Sequence, residues 1–386
     1  MENQRSVLAI VVPDLYHASV TFFHAHIASI WPGRTVVIHL SSTGEPARTD
    51  VPVLEIPAAR PWPVPPRFFL SKIVVQVNAW RANRLNRRER AQVEKFIKEH
   101  GVTHLFAEFA SSGVVIAPVA RKLGLPLTVM SHGWDINVIG QMPQWRLRYR
   151  SLFHSDAKLI AVCAFLRDRM RAIGAPVERI EILPCAVDAA SFRLADQNAS
   201  GPARVVMVSR LTEQKGPLFS IAAFARAAKQ HSNLLLDIVG NGPLMPQVCQ
   251  AIKEAGLEDR VILHGDVDHP SALAIMSRCH IFLQHCVKLP KQGIESQAVS
   301  LLEAMGHGLV PIVTRHGGME DHVLDGVRGW LVDERDVDTM SSRIIEMTEK
   351  HDLRRKLGCA AREFVLSNFS GDVVYPRLRG LIGLEA

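Results

Sequence analysis

The chain has 386 residues and a mass of 42.8 kDa, with 47% hydrophobic and 22% charged side chains. That length exceeds what one ordinary core fills and suits two domains, and the composition excludes a disordered or collagen-like chain. The formal net charge of +7 sits entirely in the first half, where residues 1–190 hold 23 Lys and Arg against 15 Asp and Glu, while residues 191–386 hold 22 against 23.

Short apolar runs rich in β-branched residues recur along the chain, each bounded by turn residues and followed by a longer stretch of helical period. In the first half they cover residues 7–12, 35–40, 104–107, 127–131 and 158–162; in the second, 204–209, 234–239, 261–263, 281–284 and 310–314. Parallel strands joined by helices give this rhythm, so the sequence predicts two doubly wound α/β domains with a cleft between them. A stretch rich in Ala, Ser, Asp and Gly separates them. The expected organisation is a first domain over 1–190, a linker over 191–203, a second domain over 204–368, and a closing helix over 369–386 that packs back on the first domain.

The positive excess is densest between residues 60 and 98, where Arg60, Arg67, Lys72, Arg81, Arg84, Arg87, Arg88, Arg90, Lys95 and Lys98 face only Glu89, Glu94 and Glu99. Trp62, Phe68, Phe69 and Trp80 are interleaved with them, a pattern that suits an anionic membrane surface. No nucleic-acid motif accompanies it, so nucleic acid is not an expected partner. The run at 7–12 is of strand length and is broken by Pro13, unlike a leader peptide, and no apolar stretch approaches the roughly 20 residues of a spanning helix. Six scattered cysteines suit a reducing compartment. The expected location is the cytoplasm, with the basic cluster as a candidate contact for the inner face of the cell membrane.

Three features carry chemistry. Ser209, Arg210, Leu211, Thr212, Glu213, Gln214, Lys215 and Gly216 follow a strand and precede a helix starting near Pro217. Two cations five positions apart on such a turn form a natural clamp for a diphosphate. Gly240, Asn241, Gly242 and Pro243 form a second turn, which is weak evidence alone because tight turns use Gly for backbone reasons. Glu295 and Glu303 stand eight positions apart, and with residues 301–305 helical both carboxylates are expected at one helix N-terminus. His24, His26, His280, His285, His316 and His322 lack carboxylate or Cys partners at metal spacing, so surface or packing roles are expected of them.

In order and spacing, these motifs and the stretch Gly317, Gly318, Met319, Glu320 to Gly329, Trp330, Leu331, Val332 resemble the donor domain of glycosyltransferase family 4, which consists of retaining, metal-independent enzymes with the GT-B fold. In the first half Ser131, His132, Gly133, Trp134 and Asp135 look like the family's His-Gly-x-Asp turn, and Ile182 to Asp188 like its strand and Gly-Val-Asp motif. The opening segment around Ser19 to Ile27 resembles members that build exopolysaccharides, the colanic-acid type among them. The resemblance implies a nucleotide-sugar donor, a glycan or lipid-linked acceptor and no cofactor. It assigns Arg210 and Lys215 to the donor diphosphate, Glu303 to the ribose and Glu295 to the transferring sugar. Ser209, Gly240, Val267, Ser296, Gln297 and Ala298 are placed around the donor, His132 near the sugar as a catalytic residue, and Asp135 on the acceptor or sugar side. The sequence departs from the family where Pro13 to His17 replace a Gly-rich turn, where Ser296 stands for Gly after the first Glu, and where Ala186 stands for the Gly of Gly-Val-Asp. A nucleotide-sugar epimerase and a sugar-nucleotide-binding regulator are the competing readings of the same architecture; an NAD-dependent dehydrogenase would need a Gly-x-Gly-x-x-Gly turn that neither half carries.

Overall fold

A computed structural model describes residues 6–13, 21–42, 49–57, 84–196, 203–289 and 293–384. Trp62, Phe68, Phe69, Trp80, the cations Arg60, Arg67, Lys72 and Arg81, and Asp14 to His17 lie outside the described residues.

The chain divides into two compact units, one comprising Met1–Val162, Leu166–Leu183 and Tyr375–Ala386, the other Cys163–Phe165 and Pro184–Val374. Among the described residues the first unit holds seven strands: β1 (Leu8–Val12), β2 (Thr35–Ser42), β3 (Val53–Pro57), β4 (His104–Glu108), β5 (Leu127–Ser131), β6 (Lys158–Ala161) and β7 (Ile180–Ile182). All pairs are parallel, in the order β3-β2-β1-β4-β5-β6-β7. The second unit holds β8 (Arg204–Val208), β9 (Leu235–Val239), β10 (Val261–Gly265), β11 (Ile281–Gln284), β12 (Val310–Thr314) and β13 (Trp330–Val332), also parallel, ordered β10-β9-β8-β11-β12-β13. Each unit is therefore doubly wound, and its strand order reverses once, between β1 and β4 and between β8 and β11.

The central strands β1, β5, β11 and β12 are buried along their whole length because both faces of the sheet are covered there. In the second unit Val205, Met207, Leu236, Ile238, Ile281, Leu283 and Ile312 enter one core, whereas Val206, Val239, Phe282 and Val313 enter the other. Alternate residues of one strand thus serve two helix layers. All ten strands expected from the apolar runs form, and β3, β7 and β13 add to them. Those three lie at sheet edges, where burial is incomplete and the run is short: Val53–Pro57 buries only Ile56, and Ile180–Ile182 only Ile180.

The helix Arg87–Glu99 shows how the basic cluster is displayed. Asn86 accepts hydrogen bonds from the backbone N–H of Arg88 (2.8 Å) and Glu89 (3.0 Å), and Glu89 accepts one from the backbone N–H of Asn86 (2.7 Å), a capping box that starts the helix. Val93, Phe96 and Ile97, at helical spacing, turn inward, and Arg87, Arg88, Arg90, Lys95 and Lys98 are left exposed.

The boundary differs from the expected 190–203. It falls at Leu183–Pro184, because the following residues already pack within the second unit: Val187 bridges Ser370, and Phe192 and Ala195 lie in its core. The second unit likewise runs past 368 to Val374, and Tyr375–Ala386 belong to the first. There Arg379 donates to the backbone carbonyls of Ile30 (2.7 Å) and Ser29 (3.0 Å), and Leu378, Ile382 and Leu384 are buried. Among the described residues, no helix is long and apolar enough to cross a membrane.

Candidate active site

In the second unit the chemistry gathers at the carboxyl edge of the sheet, where β8 and β11 meet. The turn after β8 carries Arg210 and Lys215, and the loop after β11 carries Glu295. Lys215 Nζ forms an ion pair and hydrogen bond with Glu295 Oε2. Burial works against the Lys215 ammonium, but the Glu295 charge outweighs it and holds the proton above the ordinary lysine range. Burial would likewise raise the Glu295 carboxyl, and Lys215 holds it below the ordinary carboxylate range. Arg210 is exposed and makes no hydrogen bond or ion pair with another described residue, yet its charge is felt at Lys215.

Two helices start beside these residues without a capping side chain: Pro217–Gln230 after Gly216, and Val299–Gly306 after Ala298. Uncapped helix starts present unpaired N–H groups and a partial positive charge, a setting that favours an anion.

The glycines shape this edge. A Cβ on Gly318 would stand 1.7 Å from the Ser296 carbonyl oxygen, and one on Gly317 2.1 Å from that of Glu295. Gly318 donates its N–H to the Glu295 carbonyl at 2.9 Å, so the Gly-Gly pair is the bed on which the Glu295–Ser296 backbone rests. Gly240 (φ 117°) and Gly242 would bring a Cβ to 2.1 Å from Ser209 O and 2.5 Å from Leu211 O. Their turn therefore packs under the cationic loop and sets its position. The Ser209 hydroxyl is buried and finds no partner among the described residues.

The two glutamates do not share one helix end, which corrects the expectation from their spacing. The helix begins at Val299, so Glu303 is its fifth residue, and its carboxylate is held by His269 Nε2 at 2.7 Å while Glu295 turns to Lys215. The hydrogen bond to Glu303 raises the His269 pKa. Val267, just before His269, is partly buried against the core. Gln297 spends its side chain on the backbone of Cys185, accepting from its N–H and donating to its carbonyl, both at 2.9 Å. Of the histidines expected at the surface or in packing, His24 is exposed and His280, His285, His316 and His322 are buried. His316 also holds the site, since its Nε2 accepts the Glu295 N–H (3.3 Å) while Nδ1 donates to Glu334 (2.8 Å).

In the first unit a second cluster forms at the corresponding edge, where β1, β4 and β5 lie side by side. Glu108 ends β4 and is fully buried; its Oε2 accepts from His132 Nε2 at 2.7 Å and its Oε1 from His26 Nδ1 at 2.5 Å. Burial would raise the Glu108 carboxyl, but the charge of His26 and the hydrogen bonds from both rings outweigh it and bring it to about 2. The His132 ring lies 4.4 Å from that of Phe22, tilted by 31°, and 5.0 Å from Phe109 edge-on. Asp135, expected on the acceptor or sugar side, is instead buried and committed to the backbone. It accepts from the N–H groups of His132 (3.2 Å), Gly133 (3.0 Å) and Ala110 (2.8 Å), locking the turns after β4 and β5 together. A buried carboxylate with three such donors is a brace for the His132 turn.

Glu108, His26, His269 and His316 escaped sequence reasoning. Glu108 had one signal, a charged residue at the carboxyl end of an apolar strand, where functional groups of doubly wound sheets concentrate. The histidines had none, because each acquires its role from a partner remote in the chain.

The family described as "Glycosyl transferases group 1" matches residues 192–364, and "Glycosyltransferase Family 4" matches residues 33–191. The chain is 27% identical over 281 residues to the putative colanic acid biosynthesis glycosyltransferase WcaL of Salmonella typhimurium, covering 72% of this chain and 69% of that one. It is also 27% identical over 260 residues to the amylovoran biosynthesis glycosyltransferase AmsK of Erwinia amylovora, covering 67% and 64%. Among solved structures, Anabaena Alr3699/HepE in complex with UDP superposes with a TM-score of 0.77 at 17% identity, over 98% of this chain and 99% of that one, which shows a common fold. The two sheets are thus those of the GT-B architecture, and with matched segments running in order through both halves, the chain belongs to glycosyltransferase family 4.

Proposed function

We propose that the chain transfers a sugar, with retention, from a nucleotide-diphosphate sugar to a glycan or lipid-linked oligosaccharide in the assembly of a cell-surface polysaccharide. The observation that carries the donor half is the Lys215–Glu295 pair beside the exposed Arg210, flanked by two uncapped helix starts at one sheet edge. Breaking the bond between sugar and diphosphate leaves positive charge on the sugar and negative charge on the leaving group. Fixed cations at the phosphates therefore stabilise the transition state more than the ground state. In this reading Arg210 and Lys215 meet the diphosphate without a metal or other cofactor, and Glu295, left with its negative charge, meets the sugar. Glu303 takes the ribose hydroxyls, exchanging its bond to His269 for them. The N–H groups around Ser296, Gln297 and Ala298 approach sugar and phosphate, and His132 acts on the sugar. The UDP in the HepE structure supports a nucleotide-diphosphate ligand, and the WcaL and AmsK names support an exopolysaccharide product.

The acceptor side falls to the first unit, and the exposed cations Arg84, Arg87, Arg88, Arg90, Lys95 and Lys98 suit a lipid-linked acceptor at an anionic, cytoplasmic membrane face. Each cation near such a surface contributes about 1 kcal/mol. Donor hydrolysis measured across UDP-, GDP- and ADP-sugars, followed by mass spectrometry of products formed on lipid extracts, tests the reading. Turnover of one donor that rises on adding the acceptor supports it, and no turnover of any donor refutes it.

A further inference from the structure

We propose that His269 gates the ribose subsite: its imidazole occupies the Glu303 carboxylate until a nucleotide sugar displaces it, which makes donor affinity fall as the pH is lowered. The inference rests on the reading of Glu303 at the ribose and adds to it a competitor for the same carboxylate.

The two side chains meet from separate parts of the second unit. His269 opens the helix His269–Met276 that follows β10, and Glu303 lies 34 positions later on the helix Val299–Gly306. The ring Nε2 stands 2.7 Å from Glu303 Oε1, and among the described residues the carboxylate makes no other hydrogen bond. The Glu303 side chain is 12% exposed and the imidazole 50%, so the ring stands on the solvent side of a carboxylate that is otherwise enclosed. Two neighbouring ribose hydroxyls donating to one carboxylate use both of its oxygens, and the ring holds one of them. An incoming donor therefore replaces the imidazole with a hydroxyl instead of adding beside it. The ring leaves without a backbone movement: Asp268 caps the helix by accepting the Ser271 N–H at 2.9 Å and Pro270 stiffens its first turn, so the exchange is a rotation of the His269 side chain alone.

Charge makes this competition depend on pH. The hydrogen bond to Glu303, and then the charges of Glu303 on the facing helix, Asp188 near the start of the second unit and Asp268 on the same turn, raise the ring's pKa above the ordinary histidine value against the effect of burial. A donor that displaces the ring removes the Glu303 contribution, so the pKa drops and binding releases a proton. Affinity is therefore highest above the raised pKa, falls as the pH falls through it, and levels off once the ring is protonated in both states.

The test is titration calorimetry of the full-length protein with UDP-glucose, GDP-mannose and ADP-glucose at pH 6.0 and 8.5. Nucleotide sugars are used because a free nucleotide has a terminal phosphate that itself titrates at about pH 6. The wild type should bind its donor about fivefold more weakly at pH 6.0 than at pH 8.5, a modest factor because the pair is partly exposed. His269→Ala should bind about fivefold more tightly than wild type at pH 6.0 and lose the pH dependence. His269→Gln keeps an N–H donor without a titrating proton and should lose the pH dependence as well. Equal wild-type affinity at both pH values, or weaker binding by His269→Ala at pH 6.0, overturns the gate. Glu303→Ala separates the two layers. Unchanged affinity in that variant sinks the ribose reading and the gate with it, whereas weakened affinity there, with His269→Ala like wild type at both pH values, sinks the gate alone. No binding of any of the three by the wild type sinks the donor reading and the gate together.

Discussion

Gly318→Ala tests whether the Glu295–Ser296 backbone must be held in register for catalysis. The added methyl would stand 1.7 Å from Ser296 O, and real contacts of this kind begin near 3.0 Å. The carbonyl must therefore retreat by about 1.3 Å, a displacement of the size that costs about 10² in rate when it misplaces a reacting group. The obstruction is backbone, so no side-chain rotation relieves it, and the 2.9 Å bond from Gly318 N–H to Glu295 O is lost or lengthened. Overpacking of this kind costs about 1–3 kcal/mol of stability, small enough for the second unit to remain folded. The assay is kcat/KM for donor hydrolysis together with urea unfolding. A drop of about 10² with retained circular dichroism is expected. Gly380→Ala is the control, since nothing lies within 4 Å of its added methyl. Wild-type kcat/KM in Gly318→Ala refutes the view that the Gly-Gly pair seats the catalytic loop.

Arg210→Ala and Lys215→Ala should each lower turnover by about 10² to 10³, the usual cost of removing one electrostatic donor, and near-normal rates in both would remove the clamp. Glu303→Ala should mainly raise the donor KM, because ribose contacts are the same in ground and transition states; lower kcat at constant KM would contradict that role. Glu108 links the fold to acid. Its carboxyl is held at about 2 in the fold against an ordinary 4.5, so the unfolded chain takes up the proton first as pH falls. The stabilisation is complete above the ordinary value and is lost as pH falls through about 2, amounting to about 3 kcal/mol. Urea unfolding of wild type and Glu108→Gln at pH 6 and near pH 2 should differ by that amount in its pH dependence, and parallel curves would contradict it.

Legibility followed burial and distance. Strands covered on both faces, such as Leu8–Val12 and Val310–Thr314, announce themselves as unbroken apolar runs. Trp330–Val332, partly exposed at an edge, offers no such run. The clamp was visible because Arg210 and Lys215 share one local turn, and the Gly-Gly stretch because its residues are adjacent. The eight-position spacing of Glu295 and Glu303 predicts one shared helix end, whereas His269 and Lys215, both remote in the chain, draw the two carboxylates into separate pairs. Asp135 looked available for the same reason: a His-Gly-Trp-Asp turn does not reveal that Ala110, 25 positions earlier, completes the carboxylate's hydrogen bonds.

From sequence alone came two doubly wound sheets, the family, and a list of charged residues on loops at strand ends, all written in local pattern. Which charges meet was decided by strand order. Because β8 neighbours β11, Lys215 reaches Glu295 across 80 positions; because β1 neighbours β4 and β4 neighbours β5, His26 and His132 converge on Glu108 across 82 and 24. The reversal of strand order brings loops together that are remote along the chain, and there Glu295 and Glu108 find the partners that keep them charged.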